Sequence, residues 1–308
     1  MSDDYLWDGS GEPDPEVQRL EKLLQPARYR PAAHRFVLPR SRLALPIAAA
    51  VVVLVPASLA LYQALRPIGS VHVTRYREGA SDGAEVGSRL YEGNWLETDA
   101  RTHAEIAVAN LGEVKVAPSS RLRLVSARHS EQRLELARGQ IQARISAPPR
   151  LFIVDTPSAT AVDLGCEYSL AVTDSGASEL RVTFGYVELT GHGKTALVPA
   201  GALCETRPGR GPGVPFAADA PPAWREALSR LDSEGDISAL GVVLERARRA
   251  DALTLWHLLS RVDVAARQRV SQRLIALVPL PTGVSEQDAL QLKKSALDKW
   301  WDAIDSGH

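Results

Sequence analysis

The side chains able to do chemistry are few and scattered in this 308-residue chain. Cys166 and Cys204 stand singly, so the Cys-x-x-Cys spacing of structural zinc and thioredoxin-like sites is missing. The seven histidines run from His34 to His308 without a second ligand at metal-binding spacing. His103 precedes Ala104-Glu105 and His192 lies between glycines in an expected turn, so both are read as exposed polar residues. No Gly-x-Ser-x-Gly, Ser-x-x-Lys or His-Glu-x-x-His occurs, and Gly209-Arg210-Gly211-Pro212-Gly213 lacks the lysine and the strand-to-helix setting of a phosphate loop. The reading is therefore of no catalytic residue, no metal site and no cofactor: the chain is not expected to be an enzyme. With 36 basic residues against 37 acidic ones, it also lacks the overall positive field that nucleic acid requires of a partner.

What the chain does carry is a division into elements. Residues 43–65, LALPIAAAVVVLVPASLALYQAL, hold no charge, and 19 of the 23 are hydrophobic. At about 1.5 Å per residue they would span roughly 34 Å, enough for a hydrocarbon core of ~30 Å, and they predict one transmembrane helix. The run is too long and too far from the start for a signal peptide. Residues 1–24 contain seven acids against Arg19 and Lys22, whereas residues 25–42 contain Arg28, Arg30, Arg35, Arg40 and Arg42 and no acid. Basic residues placed directly before the span predict a cytoplasmic N-terminus and an extracytoplasmic remainder, in a single-pass inner-membrane protein whose larger part is periplasmic.

From Gly69 to about Pro215 short apolar alternations such as Ala104/Ile106/Val108, Val114/Val116, Leu122/Leu124, Ile141/Ala143/Ile145, Phe152/Val154 and Val182/Phe184 are separated by Gly, Pro, Ser and Asp. Roughly ten strands fit at sandwich spacing, and no helix-length pattern interrupts them, which favours an antiparallel sandwich of jelly-roll type over a βαβ sheet. These runs carry a motif series: Gly93-x-x-Leu96-x-Thr98, Gly112-Glu113-Val114-Lys115-Val116, Leu134-x-Leu136-x-x-Gly139-x-Ile141, then Phe152 to Thr156-Pro157, Asp163-Leu164-Gly165-Cys166-Glu167-Tyr168, Val182-x-x-Gly185-x-Val187-x-Leu189 and Val198-x-x-Gly201. In that order, residues about 86–214 resemble the FecR domain, the extracytoplasmic part of membrane-anchored sigma-factor regulators first associated with iron-citrate sensing. Gly139, Gly165, Gly185 and Gly201 are read as structural residues at junctions between apolar runs, and Thr156-Pro157 as a strand end.

One position departs from the family. Where the family usually has Gly-Thr, this chain has Gly165-Cys166. With the β region expected in an oxidising compartment, a Cys166–Cys204 disulfide is the resulting expectation.

At the N-terminus, Asp14-Pro15 is a helix start, and Val17, Leu20 and Leu24 follow at i, i+3 and i+7. With Tyr5 and Trp7 they form a candidate helix-in-groove ligand for a cytoplasmic partner. The resemblance implies that this partner is an alternative sigma factor, although the tail cannot be aligned with the family's usual cytoplasmic segment. An envelope or outer-membrane protein is the corresponding candidate outside. Beyond the linker at 207–213 the pattern turns helical, with segments at 237–249, 251–261, 263–278 and 286–304, caps at Asp236 and Ser285, and Trp224, Trp256, Trp300 and Trp301 as core. The expected organisation is a cytoplasmic tail (1–42), a membrane helix (43–65), a FecR-like β domain (67–215) and an α-helical bundle (216–308). The functional expectation is an anti-sigma-like regulator relaying an envelope signal; the alternative is an envelope scaffold with no sigma-factor partner.

Overall fold

The structure is a computed structural model and describes residues 15–24, 69–77 and 86–306. Two units result, residues 1–66 and residues 67–308. In the first, helix α1 (Pro15–Leu24) occupies the predicted place, with Glu16 in its first turn and Lys22 in its last, the charge order that the helix dipole favours. The run 43–65, Tyr5 and Trp7 lie outside the described residues. Among the described residues no helix is long and apolar enough to cross a membrane.

The second unit begins with strands. In chain order they are β1 (Ser70–Arg77), β2 (Val86–Tyr91), β3 (Trp95–Glu97), β4 (Thr102–Val108), β5 (Gly112–Val116) and β6 (Arg121–Arg128). Then come β7 (Glu131–Ile145), β8 (Phe152–Asp155), β9 (Thr160–Asp163), β10 (Glu167–Val172) and β11 (Ser178–Phe184). Last are β12 (Tyr186–Gly191), β13 (Lys194–Pro199), β14 (Ala202–Arg207), β15 (Gly211–Pro212) and β16 (Phe216–Ala217). They pair as two sheets that share β7. One sheet runs β2-β1-β4-β5-β7-β10-β11-β14 with β15 and β16 on β14; the other runs β3-β6-β7-β8-β9-β12-β13. The first half of β7 pairs with β6 and β8, the second half with β5 and β10.

The predicted alternation holds because one face of each strand is buried. Ile106, Val114, Leu122, Ile141, Phe152 and Val154 are 0–1% exposed and belong to one core drawn from both sheets. At about 1.5–3 kcal/mol per fully buried large aliphatic side chain, this face decides the register. Two expectations are corrected. The alternation places Phe184 inward beside Val182, yet it is 69% exposed, because the β10–β11 register shifts between Glu167 and Tyr168 and the bulge turns the strand end outward. The sheets are also not purely antiparallel: β7 and β8 run parallel with no crossover helix between them. Parallel neighbours normally need a long connection. Here the second half of β7, paired into the other sheet, serves as that connection.

The C-terminal segment supplies α2 (Pro222–Ser229), α3 (Leu240–Arg246), α4 (Ala252–Leu259), α5 (Val264–Leu277), α6 (Glu286–Leu290) and α7 (Lys294–Asp305). Asp236 accepts from the Ser238 amide and Ser285 from the Asp288 amide, as their cap roles require. The segment predicted as one helix over 286–304 is two: Leu292 adopts φ +55° and Lys293 is extended, which ends α6 before α7 starts. Trp224 and Trp300 are fully buried, as expected, and each indole N–H finds a backbone carbonyl, of Val243 and Val278. The boundary expected at 215/216 separates sequence patterns rather than compact units, since Phe216–Ala217 still pairs with β14 and residues 67–308 cluster together.

Candidate functional site

The exposed apolar residues of α1 form the first constellation. Leu20, Leu23 and Leu24 are 58%, 69% and 62% exposed. Leu20 and Leu24 were expected, together with Val17 in the same helix; Leu23 was missed, although it lies on the same stripe as i+3 of Leu20. Together they make an exposed apolar stripe, the pattern by which amphipathic helices enter partner grooves.

Motif residues of the β region define two further places. At the β8–β9 turn, the Thr156 amide donates to the Ala159 carbonyl at 2.8 Å and the Thr156 hydroxyl donates to the same oxygen at 2.8 Å. Pro157, which cannot donate to a ladder, lies beside the Gly176 turn. Next to it Ser158, Ser178 and Thr206, all buried, share hydrogen bonds among their hydroxyls, with Ser178 Oγ 2.5 Å from Thr206 Oγ1. This triad ties the turn to β11 and β14. Sequence spacing gave no sign of it, because its members lie 20 and 28 residues apart on separate elements.

The second place is the β9–β10 corner. Asp163 is 1% exposed; its Oδ1 accepts the Gly165 amide at 2.7 Å and its Oδ2 accepts the Cys166 thiol. Burial pushes the Asp163 carboxyl up. Burial, then the neighbouring Asp163, pushes the Cys166 thiol far up. Burial likewise raises the Tyr168 phenol, whose hydroxyl is buried without a partner among the described residues. A thiol held protonated is not a nucleophile. Cys166 thus does locally what a threonine hydroxyl would do at the family's usual position, donating to the corner carboxyl.

That placement overturns the expected disulfide. Both cysteines are free and buried. Cys204 pairs with Leu180, and Leu180 with Leu170, so Cys204 lies two strands across from β10, while Cys166 stands four residues back along it. At ~4.8 Å per strand and ~3.4 Å per residue the two Cα atoms are roughly 17 Å apart, against a limit of about 7 Å for a bridge. Burial pushes the Cys204 thiol up to about 12.

Each of Gly139, Gly165, Gly185 and Gly201 has a positive φ, as the junction reading requires. At Gly185 a Cβ would stand 2.2 Å from the Gly165 carbonyl oxygen, so this glycine closes the Asp163 corner from the β11–β12 side. His192 is exposed in its turn with φ +50°, as expected, whereas His103 is half-buried and stacked on Tyr76 with ring centroids 5.3 Å apart.

A last constellation joins strands to helices. α4 is apolar on nearly every face and is buried accordingly. Its His257 Nε2 lies 3.1 Å from the Leu197 carbonyl of β13, and Thr254 donates to the Pro215 carbonyl at 2.9 Å. Trp256 and Trp301 pack edge-to-face at 5.0 Å and His257 lies edge-on to both. The Tyr186 hydroxyl donates to Asp305, and that bond raises its pKa to about 12. Burial, with Arg261 nearby, lowers the His257 pKa to about 3 despite the Leu197 carbonyl. A buried neutral histidine must take up a proton on unfolding below about pH 6.5, so its contribution to stability falls as pH drops from there toward 3. Between pH 7 and pH 4.5 the loss is about 2–3 kcal/mol. A His257→Gln variant lacks this loss, so urea unfolding at the two pH values should show its deficit against the parent shrinking by that amount. An unchanged deficit would contradict the assignment.

Among the described residues no three His, Cys, Asp or Glu side chains group to hold a metal ion. The family model described as FecR protein matches residues 95–188, from β3 into β12. No curated protein matches the chain. Two crystal structures of a protein from Parabacteroides distasonis ATCC 8503, provisionally described as an anti-sigma factor, align at 15% identity with TM-scores of 0.36 and 0.37. The alignments cover 44% of this chain and 63% of theirs, less than two thirds of those proteins. The matched family stretch is narrower than the resemblance over 86–214: Gly201 and Cys204 fall beyond it, although β13 and β14 complete the same sheets. Residues 95–188, with the Thr156-Pro157 turn and the Asp163 corner inside them, are thus the stretch of this chain that matches the FecR protein family.

Proposed function

We propose that this chain is a single-pass regulator of the inner membrane, whose FecR-type β domain receives a signal or partner outside and whose tail holds an alternative sigma factor inside. The observation that carries the reading is the conjunction of a FecR domain with a helix that leaves Leu20, Leu23 and Leu24 in water. The charge-free run 43–65 between them supports the anchoring, and the arginines before it support the orientation. In this mechanism the apolar stripe of α1, with Val17, Tyr5 and Trp7, fills a groove on the sigma factor and blocks it until an event at the β domain alters or removes the tail.

Burying a leucine in such a groove contributes about 2 kcal/mol. Leu20→Asp in the full chain should therefore weaken capture of a co-encoded sigma factor about thirtyfold, and Leu20→Asp/Leu24→Asp should abolish it in a pull-down. Capture that survives the double substitution sinks the tail mechanism, and no capture by the parent chain favours the envelope scaffold. The topology has its own test. A reporter active only outside the membrane should give signal when fused after Ser70 and none when fused before Ser41; the reverse pattern would overturn the orientation.

A further inference from the structure

Between the β14–β15 hairpin and α2 with the π-helical turn that follows it (Arg230–Glu234) lies a small cleft, partly open to solvent. Lys194, Arg207, Arg210 and Arg225 line it, against Glu205 and Asp232. Asp232 is already engaged. Its Oδ2 accepts the Val214 amide at 2.9 Å and its Oδ1 faces Arg261 at 3.4 Å, in a pair with both side chains about one-tenth exposed. Arg207 donates to the Ser229 hydroxyl at 3.2 Å and Arg210 to the Ser233 carbonyl, so these two brace the hairpin against the helix and frame the cleft.

Lys194 and Arg225 remain. Among the described residues neither is paired with a carboxylate, and the Nε of Arg225 is buried with no hydrogen-bond partner. A buried guanidinium N–H left unpaired is costly and asks for an acceptor. Counting Arg261, five cations face two acids here, so the acceptor the cleft suits carries more than one negative charge. One part of the lining is apolar, from Val214, Phe216 and Leu228. Short π-helical segments such as Arg230–Glu234 recur beside binding sites.

We propose that this cleft binds a phosphate monoester, with Arg225 and Lys194 as direct ligands of the phosphoryl oxygens and the apolar wall receiving the organic substituent. A phosphate monoester carries about −1.5 to −2 charges near neutral pH, which the uncompensated cations match. A guanidinium fork together with a lysine point charge is a recurrent phosphate-binding pair. The inference is independent of the membrane anchor and of the sigma-factor partner. The same group could belong to a small soluble ester or to a phosphate-bearing envelope polymer.

The test is calorimetric titration of the full chain, solubilised in a neutral detergent at low ionic strength, with phenyl phosphate and with inorganic phosphate. Saturable binding is expected, tighter for phenyl phosphate because only it reaches the apolar wall, and weakening as salt is raised. Arg225→Gln and Lys194→Gln should each reduce affinity about tenfold or more, while the melting temperature of Lys194→Gln stays that of the parent. Should Arg225→Gln fail to fold, Lys194→Gln in the hairpin carries the comparison. Displacement of phenyl phosphate by poly(glycerol phosphate) would assign the group to an envelope polymer, and indifference to the polymer would assign it to a soluble ester; both support the site. No saturable binding of either phosphate, or affinity unchanged in both variants, overturns it.

Discussion

Gly139→Ala is expected to destabilise residues 67–308 by about 3–5 kcal/mol, lowering their melting temperature by roughly 8–16 °C. Gly139 is where β7 leaves one sheet and enters the other: Arg138 still pairs with Arg121 of β6, whereas Gly139 pairs with Val172 of β10. The passage uses φ +92°, which costs an alanine about 1–2 kcal/mol by itself. The added Cβ would also stand 2.2 Å from Ser120 Oγ and 2.4 Å from Ser120 Cα. Ser120 cannot step aside. It is 1% exposed, its amide donates to Thr98 Oγ1 at 2.9 Å and its hydroxyl accepts the Gln140 amide at 3.1 Å. Gly201→Ala is the control, with a similar φ of +80° but open space around the new Cβ, so only the conformational part should appear. Thermal unfolding of residues 67–308 with each substitution separates the two contributions. Equal losses at both positions would show that the contact with Ser120 is unimportant.

The strands were legible in the sequence because a half-buried sheet writes its burial into every second residue. Val114/Val116 and Leu122/Leu124 needed no tertiary information. The exposure of Phe184 is not legible there, because a bulge is a property of two strands together and neither Glu167 nor Phe184 reveals it alone. The parallel β7–β8 pair stayed hidden for a similar reason: β7 alone shows only a change of phase, from Leu134/Leu136 to Ile141/Ala143/Ile145, and not which strand lies beside each half.

The candidate sites divide along the same line. α1 could be found from i, i+3 spacing because its apolar face is local. Cys166 and Cys204 invited pairing on grounds of compartment, but reach is set by strand order, and β11 stands between them. His257 offered only a histidine within Ala252-Leu253-Thr254-Leu255-Trp256-His257-Leu258-Leu259. An octapeptide that is apolar all round already implied burial on every side, and so a neutral imidazole. The cleft around Arg225 joins a hairpin to a helix, and no window of sequence contains both.

Trp300→Ala should remove about 3–5 kcal/mol, and the form of the resulting unfolding curve is as informative as its midpoint. The indole is 0% exposed and its N–H donates to the Val278 carbonyl at 3.1 Å, so truncation leaves a cavity and orphans a buried acceptor. The helical core that holds Trp300 also contains Leu203 of β14 and Phe216 of β16, while the core of the sheets contains Leu253 of α4. Each core therefore borrows residues from the other region, and neither can melt without exposing part of its neighbour. A single cooperative transition is expected for residues 67–308, with Trp300→Ala and Gly139→Ala both lowering the same midpoint. The two sites lie in different cores, so their losses should add within about 0.5 kcal/mol in the double variant. Two separate transitions, with Trp300→Ala moving only one, would instead make the helices an independent unit and leave the β sandwich to stand on its own.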